Sequence, residues 1–209
     1  MNCIKRFIPI LILCCFVLIQ ACKSPTNKEV YEAIRPINAA NTVNMIVEIP
    51  AGTTAKFEMN KDTYELEIDS VNGKPRYIDY LPYPGNYGMV PNTLLTKEAG
   101  GDGDPLDIFM LGPTKERGSI QKVRVIGVLE LLDNGEQDDK LIGIDPTSNW
   151  NKVQDIEDLD KYYPGAKEIV STFFQNYKGK GQMEIKGWSG KSRANVILSA
   201  SIRQNLTES

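Results

Sequence analysis

The chain has 209 residues, enough for one ordinary domain, and hydrophobic residues make up 41% of it, so it can bury a core. Its 27 acidic and 24 basic residues give a formal net charge of -3. That charge does not favour a general nucleic-acid binder, which usually carries a strongly basic face. The absence of histidine excludes Ser-His-Asp and Cys-His catalysis, HExxH zinc proteases and His-rich metal sites. Any chemistry must therefore depend on carboxylates, Lys, Arg, Tyr, hydroxyl groups and a hard metal ion.

Residues 1–21 are predicted to be a lipoprotein-type signal peptide. Lys5 and Arg6 precede an apolar run over 7–19, which is too short for a permanent membrane-spanning helix. The run ends in LIQAC at 18–22, which resembles the lipobox of bacterial lipoproteins, so Cys22 is the predicted lipidation site. The predicted location is the membrane, anchored by lipid and facing the periplasm. An uncleaved apolar N-terminus on a cytoplasmic protein is the alternative. The other cysteines lie within the signal, which leaves none for disulfides in the folded part.

Residues 22–42 are predicted to be a tether, because they are polar and show no sustained period, and residues 43–209 are predicted to form one domain. Alternating or β-branched patterns predict strands at 43–49, 56–59, 64–68, 76–80, 120–132 and 140–144. Apolar residues spaced as on one helical face predict a helix that begins at Pro164, and similar spacing predicts a second helix over 192–205. This order predicts a small α+β domain, mainly β, with a barrel flanked by two C-terminal helices.

The most informative motif is DGDPLDI at residues 102–108. Its carboxylates, Asp102, Asp104 and Asp107, repel one another, and a fold can hold them together when a cation lies among them. Gly103 permits a tight bend and Pro105 stiffens the turn. Three Asp residues without His or Cys are typical of ligands for Mg²⁺ or a similar hard ion. The alternative is a solvated acidic turn.

Further candidate residues are spread along the chain. Asp133 and Asp138 belong to a second acidic turn, which by itself is more typical of a solvated hairpin tip. Glu48 and Glu58 lie on predicted strands, where an acid is less expected. The remaining candidates are cations and phenols: Lys56, Arg76, Tyr87, Lys140, Tyr177 and Lys178. Each basic residue alone is typical of a surface charge, and Tyr177 alone is typical of a core side chain, whereas Tyr87 lies in a rigid segment rich in turn formers.

DGDPLDI resembles the signature of soluble family I inorganic pyrophosphatases at all seven positions. Further blocks follow the family order: VEIP at 47–50, KFE at 56–58, GKPR at 73–76, PGNYG at 84–88, and residues 133–140 and 173–178. The resemblance implies a five-stranded barrel of OB type flanked by helices. It also implies hydrolysis of inorganic diphosphate to two orthophosphates with several Mg²⁺ ions, or with Mn²⁺, by a protein that forms homo-oligomers and binds no nucleic acid.

The resemblance also assigns roles. Asp104 would take the proton of the attacking water, and Asp107 would be shared by two metal ions that hold this water. The metal set would comprise Asp102, Asp107, Asp133, Asp138 and Glu48, with Glu58 acting on metals or their waters. The phosphates would be bound by Lys56, Arg76, Tyr87, Lys140, Tyr177 and Lys178. A non-catalytic, OB-type binding lipoprotein with a structural divalent cation is the alternative from another class.

Overall fold

The computed structural model describes residues 24–97, 101 and 103–202. The strands are β1 (Val43–Ile49), β2 (Phe57–Met59), β3 (Leu66–Ile68), β4 (Ser70–Val71), β5 (Lys74–Pro75), β6 (Asn86–Met89), β7 (Asp107–Leu111), β8 (Ile120–Asp133), β9 (Glu136–Gln137), β10 (Lys140–Ile144) and β11 (Met183–Gly190). The helices are α1 (Asn27–Glu32), α2 (Asp158–Tyr162), α3 (Ala166–Asn176) and α4 (Lys191–Ser201), with a short 3₁₀ helix at Asn149–Lys152.

Strands β1, β6, β7, β10 and β8 form a closed ring. Neighbours in this ring pair antiparallel, except β7 and β10, which are parallel. The long strand β8 closes the ring because its first residues pair with β1 and its middle residues with β10, while its last residues pair with β11 outside the ring. This arrangement confirms the predicted mainly-β fold with a five-stranded OB-type barrel.

Strand β7 shows how the barrel is buried on both faces. Successive residues of a strand point to opposite faces. Phe109 and Leu111 pack in one apolar cluster, which also receives three residues of α3, whereas Ile108 and Met110 pack in a second cluster, which receives three residues of α4. The two predicted C-terminal helices are therefore confirmed as flanking elements. α3 begins at Ala166, after Gly165 with φ 86°, so the prediction that Pro164 is the first helical residue was wrong.

The contact between β1 and β6 explains why residue 88 is a glycine and why Glu48 lies at an irregular position of its strand. A Cβ atom on Gly88 would lie 1.9 Å from the carbonyl oxygen of Ile46, so only glycine allows the two strands to approach this closely. The pairing register shifts between Val47 and Ile49, which makes Glu48 the centre of a bulge in β1. Bulges interrupt the regular alternation of side chains and commonly lie beside functional sites.

Some predicted strands differ from the observed ones. The strand predicted over 76–80 is absent: Tyr77 makes only an isolated bridge with Ala55. The preceding hairpin turns at Asn72 and Gly73, both with positive φ, and its strand β5 stops at Pro75. The sequence patterns also missed β6, β7 and β11, because glycines and the acidic motif interrupt the alternation that marks a strand.

The segment before the barrel is packed rather than extended over the part that the structure describes. α1 begins with a capping box formed by Thr26 and Glu29. The Asn92 side-chain amide donates hydrogen bonds to three carbonyl groups at and just beyond the end of α1, at 2.8 to 3.2 Å. Polar contacts and a few isolated apolar residues such as Tyr31 hold this segment, and because these residues form no regular stripe its sequence predicted a tether. Among the described residues, no helix is long and apolar enough to span a bilayer.

Candidate active site

A cleft of about 430 Å³ opens at one end of the barrel. β7 and β10 run parallel and both begin there, whereas β8 runs antiparallel to β10 and ends there. The first residues of β7 and β10, Asp107 and Lys140, are therefore brought close to Asp133, the last residue of β8. The strand topology thus gathers charged residues that are far apart in the sequence.

The cleft brings together most of the predicted site residues. Its lining includes Glu48, Lys56, Glu58, Arg76, Tyr87, Asp104, Asp107, Asp133, Asp138, Tyr177 and Lys178. Lys140 lies directly beside this lining, bonded to two of its carboxylates. Asp102 and Cys22 lie outside the described residues.

Lys140 forms the floor of the cleft. Only 1% of its side chain is exposed, and its ammonium group donates hydrogen bonds to the carboxylates of Asp107 and Asp138. Asp107 also accepts a hydrogen bond of 2.5 Å from the hydroxyl of Tyr87. Burial alone would lower the pKa of Lys140, but the two carboxylates outweigh it and raise that pKa. The lysine is therefore held in its charged form in a dry environment.

Two carboxyl groups of the cleft are buried, and burial disfavours their ionised form. Burial raises the pKa of Glu48 to about 8, against the opposing attraction of Lys56. Glu48 Oε1 accepts a hydrogen bond of 3.0 Å from the backbone N–H of Met59, which fixes the side chain. Burial likewise raises the pKa of Asp138 to about 6, although Lys140 opposes this. An added cation would favour the ionised form of both groups.

Ion pairs continue from the floor to the mouth of the cleft. Lys56 Nζ lies 2.6 Å from Glu58 Oε1, and Lys178 pairs with Asp133. Arg76 donates a hydrogen bond of 2.9 Å to Asp69. The second acidic turn is therefore not simply a solvated hairpin tip, since Asp133 and Asp138 both face the cleft.

Aromatic rings form the wall beside these charges. Tyr87 and Tyr177 are nearly buried, and burial raises the pKa of both hydroxyl groups well above the usual value, so both remain protonated donors at neutral pH. Tyr83 packs against both rings, with centroid distances of 5.4 and 5.9 Å. Tyr177 lies just after α3 in the aromatic cluster, so it serves the core as well as the cleft.

Sequence reasoning missed several residues of this site. Lys61 lines the cleft and pairs with Asp104, and Tyr31 and Tyr64 line it from α1 and from the β2–β3 hairpin. Tyr83 lies behind the lining, and its buried hydroxyl has no hydrogen-bond partner within the described part of the chain. Lys61 follows the KFE block by three residues, in a segment rich in turn formers. This position close to a block of the family was the only sequence feature that could have indicated a place in the site. Tyr31 had none, because its helix lies in the segment predicted to be a tether.

The side chains fit a hard divalent cation by their chemistry. Six carboxyl groups face one cleft, and oxygen ligands of this kind suit Mg²⁺. In the described part of the chain, however, no three Asp, Glu, His or Cys side chains are grouped closely enough to hold a metal ion. The lysines account for this, since Lys140, Lys178 and Lys61 pair with the carboxylates instead.

Comparison with known proteins identifies the family. A sequence model described as "Inorganic pyrophosphatase" matches residues 45–205, which include every described residue that the sequence predicted for the site. The chain belongs to the inorganic pyrophosphatase family. The resemblance of DGDPLDI and its companion blocks to this family is thereby confirmed.

Individual members of the family show the extent of the similarity. The mitochondrial inorganic pyrophosphatase of Saccharomyces cerevisiae is 41% identical over 158 residues, 66% of this chain and 50% of that protein. The chain thus spans about half the length of this relative. The inorganic pyrophosphatase of Helicobacter pylori is 33% identical over 181 residues, 82% of this chain and 96% of that protein. The structure of an N-terminally truncated vacuolar soluble pyrophosphatase from Trypanosoma cruzi, solved with PPi, has a TM-score of 0.72 and 29% identity, covering 80% of this chain and 71% of that one.

Proposed function

We propose that this protein hydrolyses inorganic diphosphate to two orthophosphates and uses Mg²⁺ to do so. The observation that carries the proposal is the cleft, where carboxylates, cations and protonated phenols meet at the end of a barrel within the region that matches the family. Diphosphate repels nucleophiles because of its charge, and phosphoryl transfer needs positioning and electrostatic stabilisation above all. Cations and phenol donors around a common space provide both. No observation favours the alternative of a non-catalytic binding lipoprotein.

The cationic side chains would bind the substrate. Lys56 and Lys178 line the cleft and are paired with carboxylates, so their charge is held in place before diphosphate arrives. Arg76 offers a planar guanidinium group, which matches two phosphate oxygens better than an ammonium group does. Tyr87 and Tyr177 keep their protons and can therefore donate hydrogen bonds. Lys140 would act on the phosphate from the floor, through its charge.

The acidic side chains would hold the metal and receive the proton. Asp107, Asp133, Asp138 and Glu48 supply carboxylate oxygens for Mg²⁺, with Asp102 in the same motif and Glu58 at the mouth. Bound Mg²⁺ would lower the pKa of a water molecule and neutralise charge on the leaving phosphate. Asp104 lies at the mouth, with 49% of its side chain exposed, and would act as the general base toward the attacking water.

Phosphate release is the experiment that tests this function. Purified protein with diphosphate and Mg²⁺ should release orthophosphate, and a chelator should abolish the release. Asp107→Asn should lose the activity and the binding of Mg²⁺ measured by calorimetry. Asp160→Asn is the matched control, since Asp160 lies on α2 outside the cleft lining and pairs only with Lys167 among the contacts described for it. No phosphate release by the wild-type protein with Mg²⁺ or Mn²⁺ would refute the proposal.

We also propose that the protein is exported and anchored to the membrane through lipid on Cys22, and that it self-associates. The support for export is the apolar run over 7–19 followed by LIQAC. Labelled fatty acid should be incorporated into the wild type, and Cys22→Ala should lose the label and leave the membrane fraction. Absence of label in the wild type would favour the cytoplasmic alternative. Light scattering on the purified domain measures the oligomeric state.

A further inference from the structure

The β2–β3 hairpin carries a lysine to the mouth of the cleft. Its strands pair with Phe57 opposite Ile68, and the chain reverses between Asn60 and Tyr64. The Asn60 side chain accepts hydrogen bonds from the backbone N–H groups of Asp62 and Thr63, two and three residues further on, at 2.8 and 3.2 Å. This turn places Lys61 at the tip of the hairpin, among the lining residues of the cleft.

The hairpin is held over the cleft by contacts on both sides of its turn. The Asn27 side chain, at the start of α1, donates a hydrogen bond of 2.9 Å to Glu65. The rings of Tyr31 and Tyr64 lie 5.0 Å apart between their centroids. Before the turn, the backbone N–H of Met59, the last residue of β2, donates a hydrogen bond to Glu48. The position of Lys61 is therefore set by α1 and by the wall of the cleft.

Lys61 forms an ion pair of the same kind as the lysines that are proposed to bind the substrate. Lys56, Lys140 and Lys178 each pair with a carboxylate of the cleft, and Lys61 pairs in the same way with Asp104. Lys61 differs in exposure, since 66% of its side chain is accessible against 1% for Lys140. Exposed ion pairs contribute little to stability, so this pair is not needed for the fold.

We propose that Lys61 is a substrate-binding residue, whose ammonium group contacts a phosphate group of diphosphate at the mouth of the cleft. The inference rests on the proposed function. An incoming diphosphate carries several negative charges, and it competes for Lys61 with the single charge of Asp104. Lys61 would therefore attract the substrate at the mouth of the cleft.

The experiment compares Lys61→Gln and Lys61→Arg with the wild type. Loss of one charge-assisted hydrogen bond to a phosphate should raise KM for diphosphate about 10-fold. The kcat value should stay within about two-fold, since Lys61 does not act on the reacting atoms, and Lys61→Arg should restore KM because it keeps the charge. Lys74→Gln is the matched control: Lys74 is an exposed lysine on the β4–β5 hairpin outside the cleft lining, and its loss should change neither value. Calorimetric titration with methylenediphosphonate and Mg²⁺ should show the same 10-fold loss of affinity for Lys61→Gln alone.

The outcomes separate this inference from the function on which it rests. Phosphate release by the wild type with equal KM and equal diphosphonate affinity in Lys61→Gln would overturn the role of Lys61 alone. A fall in kcat with a shifted pH profile and unchanged KM would also overturn it, because Lys61 would then act only by holding Asp104. Failure of the wild type to release phosphate would overturn the proposed function itself.

Discussion

The floor and the mouth of the cleft use the same chemical pair, lysine with aspartate, in two different environments. At the floor, Lys140 is buried between Asp107 and Asp138. At the mouth, Lys61 and Asp104 meet where about half or more of each side chain is exposed. Water screens the exposed pair and makes it exchangeable, whereas a buried charge that loses its partner is left without solvation. The floor should therefore govern both stability and activity, and the mouth activity alone.

Replacement of Lys140 should have the largest effect. Lys140→Met keeps most of the length of the side chain but leaves the buried Asp138 and the partly buried Asp107 without their cation, which should lower the free energy of unfolding by about 3–5 kcal/mol. Activity should be lost as well. Urea denaturation measures the stability, and Lys186→Met, which removes a lysine from an exposed pair with Glu184, is the control. A loss of stability no larger than in the control would contradict the role of the floor.

Replacement of the proposed base at the mouth should separate activity from stability. Asp104→Asn removes a proton acceptor and not a proposed metal ligand, so turnover should fall by about 10²–10⁴. Its free energy of unfolding should stay within about 0.5 kcal/mol of the wild-type value, because the residue is exposed. Phosphate-release kinetics and urea denaturation of one preparation measure both. Turnover near the wild-type value at neutral pH would remove Asp104 from this role.

The sequence predicted the floor better than the mouth, for physical reasons. Asp107 belongs to the DGDPLDI motif, and Lys140 begins a strand that the apolar pattern predicted, although the role of Lys140 came only from the resemblance to the family. The mouth depends on how the hairpin over 57–68 and α1 pack against the barrel, and nothing in the pattern of a polar segment such as 24–42 indicates where it will lie. Lys61 and Tyr31 were missed for this reason. β6, β7 and β11 were missed because tertiary pairing, and not alternation, defines them.

Replacement of Arg76 tests whether the planar shape of a cation in the cleft matters in addition to its charge. One guanidinium nitrogen donates to Asp69 at 2.9 Å, and a planar fork can hold this bond and a phosphate together, which an ammonium group cannot reproduce. Arg76→Lys should lower turnover by about 10²–10³. Lys74→Ala, two residues away with the same charge, should change little. Equal and small effects of the two substitutions on phosphate release would show that this segment is only a solvated basic edge.

A second Lys–Asp pair, partly buried at the other end of β10, offers a comparison without catalytic chemistry. Asp145 follows the last residue of β10, lies outside the cleft lining and is buried. Lys115 Nζ donates to it at 2.6 Å, and Thr147 donates through its backbone N–H and its hydroxyl at 2.8 and 2.6 Å. Burial alone would raise the pKa of Asp145, but these hydrogen bonds outweigh it and lower the pKa below the usual value.

This lowered pKa predicts that replacement of Asp145 has a small effect on the free energy of unfolding, and that the effect depends on pH. The unfolded chain binds a proton at Asp145 more readily than the folded chain does, so the contribution of this carboxylate is complete above its unfolded pKa and is lost as pH falls through the folded pKa. Asp145→Asn should therefore lower the free energy of unfolding at pH 7 by about 1.5–3 kcal/mol, the usual value of hydrogen bonds to charged groups. The difference from the wild type should shrink below about pH 4, near the unfolded pKa of an aspartate, and phosphate release at neutral pH should be unchanged. Denaturation curves across this range measure it. A difference that stays constant from neutral to acidic pH would mean that Asp145 stabilises the barrel through packing and not through its charge.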